Sequence, residues 1–314
     1  MEEKLLILNE VIRNEPCPGK PSGEDERDKS MSELSKNEIY AMDVNFSVRY
    51  GEIGENGVAT LPSLGNWLQE AAGRNAAALG FGESELLRYN LTWVLTRLVL
   101  RIARLPRAEE KLRIHTWPST LDRFGHRGYE VYDGHGNLIV SGGSAWSVMN
   151  LADRSMGQLP EALIPCYPSE PRPCPPFACR VIPKLRLEQP ARALVRVRKD
   201  DLDINGHVNN TRYLAWILES LPLTSIPKQS ESEPSIPRLV DITFRAECFP
   251  QEELECLSAS APLPAGTEGS IFETPVSCAQ LHSIQRVSDG SEVCRALTLW
   301  DHDPEKTTDA LRKA

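Results

Sequence analysis

The sequence predicts an α+β protein of two tandem domains, in each of which an antiparallel sheet wraps around one central helix. In each half of the chain, one apolar segment with helical spacing precedes a series of strand-like segments. The two halves also align at an offset of 149 positions, which matches Val48-Arg49 with Val197-Arg198, Asn56-Gly57 with Asn205-Gly206, Trp67 with Trp216 and Glu70 with Glu219. A single long repeat of this kind indicates a duplicated domain rather than a solenoid.

The first domain begins with its helix. Apolar residues recur from Leu64 to Leu79 at the spacing of one helical face, and Gly80 supplies a stop. Strands are predicted at residues 92–102, 111–117, 128–132 and 138–149, with residues 133–137 as a hairpin turn. This order predicts a central helix followed by a meander of antiparallel strands.

The second domain repeats the plan after a proline-rich connector. Residues 192–198 predict a strand, residues 210–221 a helix and residues 220–237 a polar loop, and further strands are expected at 238–247, 253–261, 272–286 and 293–301. We therefore expect a disordered leader (1–40), an N-terminal domain (41–160), a linker (161–185), a C-terminal domain (186–303) and a tail (304–314).

Composition narrows the class of protein. The net charge of −9 argues against nucleic acid as a partner. No apolar run approaches the roughly 20 residues of a membrane span, and the acidic leader is typical of neither a signal nor a transit peptide. The eight cysteines lack zinc-like spacing, which favours reduced thiols and no metal or other cofactor. A cytoplasmic protein is expected.

The segment from Asp203 to Tyr213 carries the strongest functional signal. Asp203, Asn205 and His207 alternate just before a predicted helix, so an extended loop would direct all three side chains to one point. Turn formation and an N-cap at Asn209 or Asn210 would explain part of this pattern without chemistry. The first copy, however, has Gly54 and Val58 opposite Asp203 and His207. Because the repeat keeps the turn but loses the ionisable groups, we expect Asp203 and His207 to serve catalysis.

Glu247 is the second candidate carboxylate. Residues 243–248 predict a strand whose alternation places Glu247 and Cys248 on opposite faces. Aligning Pro250 with Pro106 places Ala103 opposite Glu247, so the first domain again lacks the ionisable group. An exposed glutamate on an edge strand is the competing interpretation.

These residues together resemble the acyl-[acyl-carrier-protein] thioesterase family of bacteria and plants, which is built from tandem hot-dog domains. The resemblance spans about residues 45–301 and rests on the motifs from Asp203 to Glu219, 245–248, 67–72, 93–97, 116–117 and 146–150. The absence of a transit-like leader makes the chain more similar to a bacterial form.

The resemblance implies hydrolysis of a fatty acyl thioester, ending fatty acid synthesis. Asp203 or Glu247 would activate water, and Asn205 and His207 would position the thioester and stabilise the oxyanion. Cys248 would be the alternative nucleophile. The first domain would supply a non-catalytic acyl pocket. Acyl carrier protein would dock on basic residues, for which Arg192, Arg196, Arg198 and Lys199 are candidates, and the resemblance also allows a homodimer.

Two other functions remain open at this stage. An acyl-CoA thioesterase would use the same residues, and hydrolysis of one acyl chain from CoA and from carrier protein would distinguish the two. A non-catalytic hot-dog protein could instead bind acyl thioesters as a sensor. The combination of Asp203, His207 and Glu247 argues against that sensor, and a dehydratase would not need this loop.

Overall fold

The computed structural model describes residues 38–186, 189–203, 206–221, 236–264, 270–271 and 274–301. Residues 1–37 of the predicted leader, the predicted tail and Asn205 lie outside these ranges. The last residues assigned to the leader, Glu38–Tyr40, form a 3-10 helix, and the Tyr40 carbonyl accepts a hydrogen bond from Asn75 Nδ2 at 3.0 Å. The first domain therefore starts slightly earlier than predicted.

The first central helix, α1, spans Leu61–Ala78. Thr60 caps it, because its hydroxyl oxygen accepts the Ser63 N–H at 3.2 Å. Its buried face includes Leu64, Trp67, Leu68 and Ala71, as the helical spacing predicts. A short helix, α2, follows at Glu83–Leu87. No helix in the described ranges is long and apolar enough to cross a bilayer.

The first domain contributes six strands. They are β1 (Met42–Ser47), β2 (Leu91–Ile102), β3 (Lys111–Leu121), β4 (Gly125–Asp133), β5 (Leu138–Asn150) and β6 (Met156–Gly157). The four strands predicted from sequence correspond to β2–β5, each of which extends at one or both ends beyond its predicted range. The short β1 and β6 were not predicted.

The second domain repeats this arrangement around a shorter helix. Its elements are β7 (Ala191–Arg196), α3 (Asn210–Trp216), β8 (Leu239–Phe244), β9 (Glu253–Ala261), β10 (Ser270–Ile271), β11 (Thr274–Pro275), β12 (Cys278–Arg286) and β13 (Glu292–Trp300). The predicted helix 210–221 is too long. Beyond Trp216 the backbone turns tighten to three-residue hydrogen bonds, such as Leu218 N–H to Ala215 O at 2.9 Å.

Two predicted strands also need correction. The strand predicted through Glu247 ends at Phe244, because the N–H groups of Arg245 and Ala246 both reach the same carbonyl, that of Val293, at 2.9 and 3.3 Å. One carbonyl opposite two residues breaks the regular ladder. Within the predicted strand 272–286, Thr274–Pro275 form the short β11 and Cys278–Arg286 form β12, while residues 272–273 lie outside the described ranges.

The two domains share one continuous sheet. Its strand order is β1-β3-β4-β5-β2-β8-β13-β12-β9-β7, with β6 paired to β5, and the antiparallel β2–β8 pair joins the two halves. Arg97 on β2 makes a bidentate ion pair with the fully buried Asp241 on β8, with both N···O distances 2.8 Å. Because Ala178 N–H also donates to Asp241 at 2.8 Å, the buried carboxylate is well satisfied.

The central helices α1 and α3 pack against each other inside this sheet. Gly65 makes the close approach possible, since a Cβ there would lie 2.8 Å from Leu214 Cδ1 and 3.0 Å from Thr211 Cγ2. Side chains from both helices belong to one buried apolar cluster with the inward-facing strand residues. The N-terminus of α3, and hence the predicted active-site loop, therefore lies beside α1 of the first domain.

The predicted connector, residues 161–185, packs on the sheet. The Arg172 carbonyl accepts hydrogen bonds from Trp117 Nε1 at 3.1 Å and from Ser119 Oγ at 2.7 Å. Further along, the Cys179 carbonyl accepts from Arg97 at 2.7 Å, and Ile182 is buried. This segment is consequently part of the folded core, and one of its residues reaches the site described next.

Candidate active site

The loops that precede the two central helices are closed by the same backbone hydrogen bond. Asp203 N–H donates to the His207 carbonyl at 2.8 Å, and Gly54 N–H donates to the Val58 carbonyl at the same distance. The glycines of the two Asn-Gly pairs have φ angles of 78° and 75°, in the left-handed region that favours glycine. The duplicated fold therefore requires the turn, whereas the carboxylate and the imidazole belong to the second domain alone.

Asp203 and His207 lie close together, with their backbone atoms hydrogen-bonded. The His207 N–H also points to Asp203 Oδ1, at 3.3 Å. The His207 ring lies between the two loops that form the site: its Nδ1 is 3.6 Å from Glu247 Oε1, and its centroid is 5.3 Å from that of Phe249 in an edge-to-face arrangement. Three of the four predicted catalytic residues are thus neighbours. The fourth, Asn205, is outside the described residues.

Glu247 lies just after β8, on a segment that is hydrogen-bonded to the active-site loop. Val208 N–H donates to the Cys248 carbonyl at 3.1 Å, and in the first domain Ala59 N–H donates to the Pro106 carbonyl at 2.8 Å. Pro106 is therefore the structural counterpart of Cys248. This equivalence fixes which first-domain residue corresponds to Glu247.

That counterpart is Leu105, not Ala103 as the alignment of prolines predicted. The proline alignment was wrong because Pro250 lies two residues beyond Cys248, the true counterpart of Pro106, so the two prolines are not at equivalent positions. Leu105 is buried and apolar. The first domain therefore lacks a carboxylate at this position, as the repeat predicted, although the residue there is Leu105 rather than Ala103.

Arg154 is a member of the site that the sequence did not reveal. It follows β5 in the first domain, in a turn where its N–H donates to the Asn150 carbonyl at 2.9 Å and its φ is 60°. Its guanidinium forms an ion pair with Oε2 of Glu247, whose other oxygen faces His207. The only sequence signal is a cation four residues after the 146–150 motif.

Cys248 points away from this cluster. Its side chain is fully buried in the apolar core beside Tyr213. Burial raises the pKa of the Cys248 thiol to about 11. A thiol with this pKa is protonated near neutral pH and is a poor nucleophile.

The two asparagines that follow His207, Asn209 and Asn210, differ in what their side chains contact. Asn209 caps α3, because its Oδ1 accepts the Thr211 N–H at 2.9 Å. The predicted helix cap at Asn209 or Asn210 is therefore confirmed for Asn209. Asn210 instead lines a cavity that also reaches Asp203.

This cavity has a volume of about 510 Å³ and extends from the second domain into the first. From Asp203 and Asn210 it follows one side of α1, and its far end is lined by Phe81, Trp93 and Tyr167. Its size lies within the range of small-molecule sites. The predicted catalytic loop is thus at one end of a cavity that is built mainly by the non-catalytic domain.

A buried arginine also lines the cavity. Arg127 is only 5% exposed, and it donates to Asn75 Oδ1 at 2.6 Å and to Thr116 Oγ1 at 3.2 Å. Among the described residues it forms no ion pair, and burial lowers the pKa of its guanidinium. The lining of the cavity is therefore mixed: it combines aromatic and small apolar residues with polar and acidic ones, and Arg127 is its one cationic residue.

The basic residues predicted for docking lie on β7 and the 3-10 helix after it. All four are exposed, but Arg192 is ion-paired with Glu255 at 3.0 Å and Arg198 with Asp201 at 3.5 Å. Arg196 and Lys199 form no ion pair within the described ranges. These two residues therefore provide most of the uncompensated positive charge of this patch.

Comparison with known proteins finds one family along both halves of the chain. The model of the acyl-ACP thioesterase N-terminal domain matches residues 40–167, and that of the C-terminal domain matches residues 185–302. The chain is 29% identical, over 82% of its length, to the oleoyl-acyl carrier protein thioesterase 1 of Arabidopsis thaliana, of which it covers 75%. It is 30% identical to the palmitoyl-acyl carrier protein thioesterase of the same plant, spanning 65% of that protein's length.

Solved structures show the same architecture. A crystal structure of an acyl-ACP thioesterase from Bacteroides thetaiotaomicron superposes with a TM-score of 0.69 at 29% identity, covering 85% of this chain and all of that one. The 12:0-ACP thioesterase of Umbellularia californica shares the fold, with a TM-score of 0.67 at 22% identity over 83% of this chain and 97% of that chain. The fold is thus a tandem hot-dog, and the chain belongs to the acyl-ACP thioesterase family, a family of acyl-ACP thioester hydrolases.

Proposed function

We propose that this enzyme hydrolyses fatty acyl-ACP by direct attack of water on the thioester, with all of the chemistry in the second domain. The observation that supports this most strongly is the cluster of Asp203, His207 and Glu247 at one end of a 510 Å³ cavity. The matching positions of the first domain, Gly54, Val58 and Leu105, hold no ionisable side chain.

We assign activation of water to Asp203. Of the two carboxylates, Asp203 lines the cavity, whereas Glu247 is engaged by Arg154 and faces His207. The Asp203 carboxylate takes a proton from water as the water oxygen bonds to the thioester carbon, a contribution of about 10²–10⁴ in rate. The tetrahedral intermediate then breaks its C–S bond, and the departing sulfur receives the proton from Asp203.

The leaving group needs little help. A thiol has a pKa near 8.5, so sulfur departs without a strong general acid. Stabilising the oxyanion is the harder task, and fixed hydrogen-bond donors contribute about 10²–10³ in rate. We assign this task to His207, with Asn205 positioning the thioester as the family resemblance implies.

Glu247 then acts through His207. The 3.6 Å separation of His207 Nδ1 and Glu247 Oε1 is longer than a hydrogen bond, so the carboxylate orients the ring electrostatically in this state. Such contacts commonly shorten when substrate binds. In this assignment Glu247 fixes the direction of the imidazole, and Arg154 fixes the direction of Glu247.

The substrate's two parts would use different regions. The acyl chain would lie along α1 in the first domain, and the carrier protein would bind at the exposed basic residues Arg196 and Lys199. Acyl carrier proteins are acidic, and complementary charge mainly accelerates association. This division explains why a domain without ionisable catalytic groups has kept its helix and the cavity beside it.

The deciding experiment compares one acyl chain on three thiols. Purified full-length enzyme is given the chain on acyl carrier protein, on CoA and on pantetheine, and kcat/KM is measured for each. We expect the carrier protein substrate to be hydrolysed fastest. A higher kcat/KM with CoA would replace the carrier protein assignment by an acyl-CoA thioesterase.

A further inference from the structure

The cavity has a definite length along α1. Its lining begins at Asn66, beside the Asp203 end, and continues along the helix to Ala76. Because an α-helix rises 1.5 Å per residue, this stretch measures about 15 Å. An extended hydrocarbon with C–C bonds of about 1.5 Å advances about 1.3 Å per carbon, so the stretch holds about twelve carbons.

Three aromatic side chains line the far end. The Tyr167 ring stacks on Phe81 with centroids 4.7 Å apart and an interplanar angle of 28°. Trp93 meets Phe81 edge-on at 6.5 Å, and its Nε1 donates to the Phe81 carbonyl at 2.9 Å. Stacked and hydrogen-bonded rings resist displacement more than a single flexible side chain does.

Tyr167 comes from the connector, not from either hot-dog sheet. It follows the 3-10 helix Glu161–Cys166, and its N–H donates to the Ile164 carbonyl at 3.0 Å. At the start of β4, Gly125 leaves space for it: a Cβ there would lie 2.5 Å from the Tyr167 hydroxyl oxygen and 3.3 Å from Trp93. The position of the ring is therefore built into both the connector and the sheet.

Arg127 contributes a buried cation to the lining of the cavity, beside Asn75 of α1. It lines the same cavity, and among the described residues its guanidinium has no acidic partner. Displacing water from a buried cation with a hydrocarbon is unfavourable. A chain long enough to reach Asn75, near the end of this stretch of α1, would meet this cost.

We infer that Tyr167 is a specificity-determining residue that closes the acyl cavity and makes this enzyme selective for medium-length chains of about ten to twelve carbons. The inference rests on the proposed function, which assigns the cavity to the acyl chain. It places the determinant of chain length in the connector between the two domains.

The test measures kcat/KM of the full-length enzyme on carrier proteins loaded with chains of about eight to eighteen carbons, spanning the length set by the helix. Wild-type enzyme should prefer about ten to twelve carbons. Tyr167→Ala should raise the ratio of kcat/KM for sixteen over twelve carbons by roughly tenfold or more, since even one methylene in a pocket is worth about tenfold. Tyr167→Phe, which keeps the ring, should retain the wild-type profile.

Melting temperatures show whether each variant is folded, and Tyr167→Leu provides a second enlargement if Tyr167→Ala is unstable. A wild-type optimum at sixteen or eighteen carbons would overturn the inference, and so would an unchanged profile in folded Tyr167→Ala and Tyr167→Leu. Both results still leave acyl-ACP hydrolysis intact. Failure of the proposed function is a separate result, in which wild-type enzyme hydrolyses none of the carrier protein substrates.

Discussion

Arg154 of the first domain is ion-paired with Glu247 of the second, across 93 residues of sequence. The contact joins the turn after β5 to the loop that faces His207. Side-chain exposures of 42% and 32% make it a surface pair, for which stability gains are usually below about 1 kcal/mol. Because we assign Glu247 to orient His207, the contact of Arg154 with this carboxylate indicates a role in orientation rather than in stability.

Arg154→Gln should therefore lower kcat by about tenfold to a hundredfold, because a small misplacement of a catalytic group costs as much as 10²-fold. KM and melting temperature should change little. Arg154→Lys should restore part of the rate, and Arg88→Gln, at an exposed arginine without an ion pair in the described structure, serves as the control. An equal loss of kcat in Arg154→Gln and Arg88→Gln would contradict a specific role of Arg154 in orientation. A change in KM for the carrier protein substrate alone, with kcat unchanged, would assign Arg154 to docking instead.

Cys248→Ala should retain most of the turnover. The thiol is buried against Tyr213, and burial raises its pKa to about 11, so it is unsuited to attack. A loss of about 1 kcal/mol or more in unfolding free energy is expected from the cavity, and Cys256→Ala, at another buried thiol, is the matched control. A folded but inactive Cys248→Ala enzyme, or an acyl group trapped on Cys248 in mass spectra, would contradict attack by water.

His282 should make the fold sensitive to acid. It is fully buried, and desolvation lowers its pKa to about 3 from the usual 6.5. The unfolded chain therefore binds a proton below about pH 6.5 that the fold rejects. The contribution of His282 to the free energy of unfolding is therefore complete above about pH 6.5. It decreases by about 1.4 kcal/mol per pH unit as the pH falls towards 3.

Urea unfolding at several pH values measures this effect. Between about pH 6 and pH 4, the free energy of unfolding should change more steeply with pH in the wild-type protein than in His282→Gln, whose side chain cannot titrate. Subtracting the pH dependence of the unfolding free energy of His282→Gln from that of the wild type removes the contribution of the other titrating groups. Equal slopes would show that His282 is already protonated or exposed in the native protein.

The docking assignment predicts an effect confined to carrier protein substrates. Arg196→Glu with Lys199→Glu should raise KM for acyl-ACP by about tenfold and reduce its dependence on salt, because charge complementarity acts mainly on association. Hydrolysis of acyl-pantetheine should be unchanged. Lys111→Glu, at an exposed lysine of the first domain, is the control, and an equal KM increase there would indicate general charge repulsion.

The duplicated elements were predictable because their determinants are local. The Asn-Gly turn, the helical spacing around Trp67 and the alternating strands are each determined by neighbouring residues. The repeat also separated structural from chemical residues, since the hydrogen bond that closes the loop forms with Gly54 as it does with Asp203. Strand bounds were less accurate where two N–H groups share the Val293 carbonyl, an irregularity that leaves no clear pattern in sequence.

The parts of the site that depend on tertiary contacts were not predictable. Arg154 reaches Glu247 only because β2 pairs with β8 and brings the two domains together. Likewise, prolines in the connector indicated a linker, whereas Tyr167 from that segment stacks on Phe81 and lines the cavity. A proline-rich composition describes backbone preference and carries no information about what the intervening side chains contact.

The rate of acyl-ACP hydrolysis under single-turnover conditions tests the central claim, that Asp203 activates water and Glu247 orients His207, with all of these groups in the second domain. Asp203→Asn and Glu247→Gln should each slow this rate by about a hundredfold or more, and His207→Ala by a similar factor. The matching first-domain variants, Gly54→Ala and Val58→Ala, should retain it or act only through stability. A folded Asp203→Asn, Glu247→Gln double variant with the wild-type rate would contradict the account.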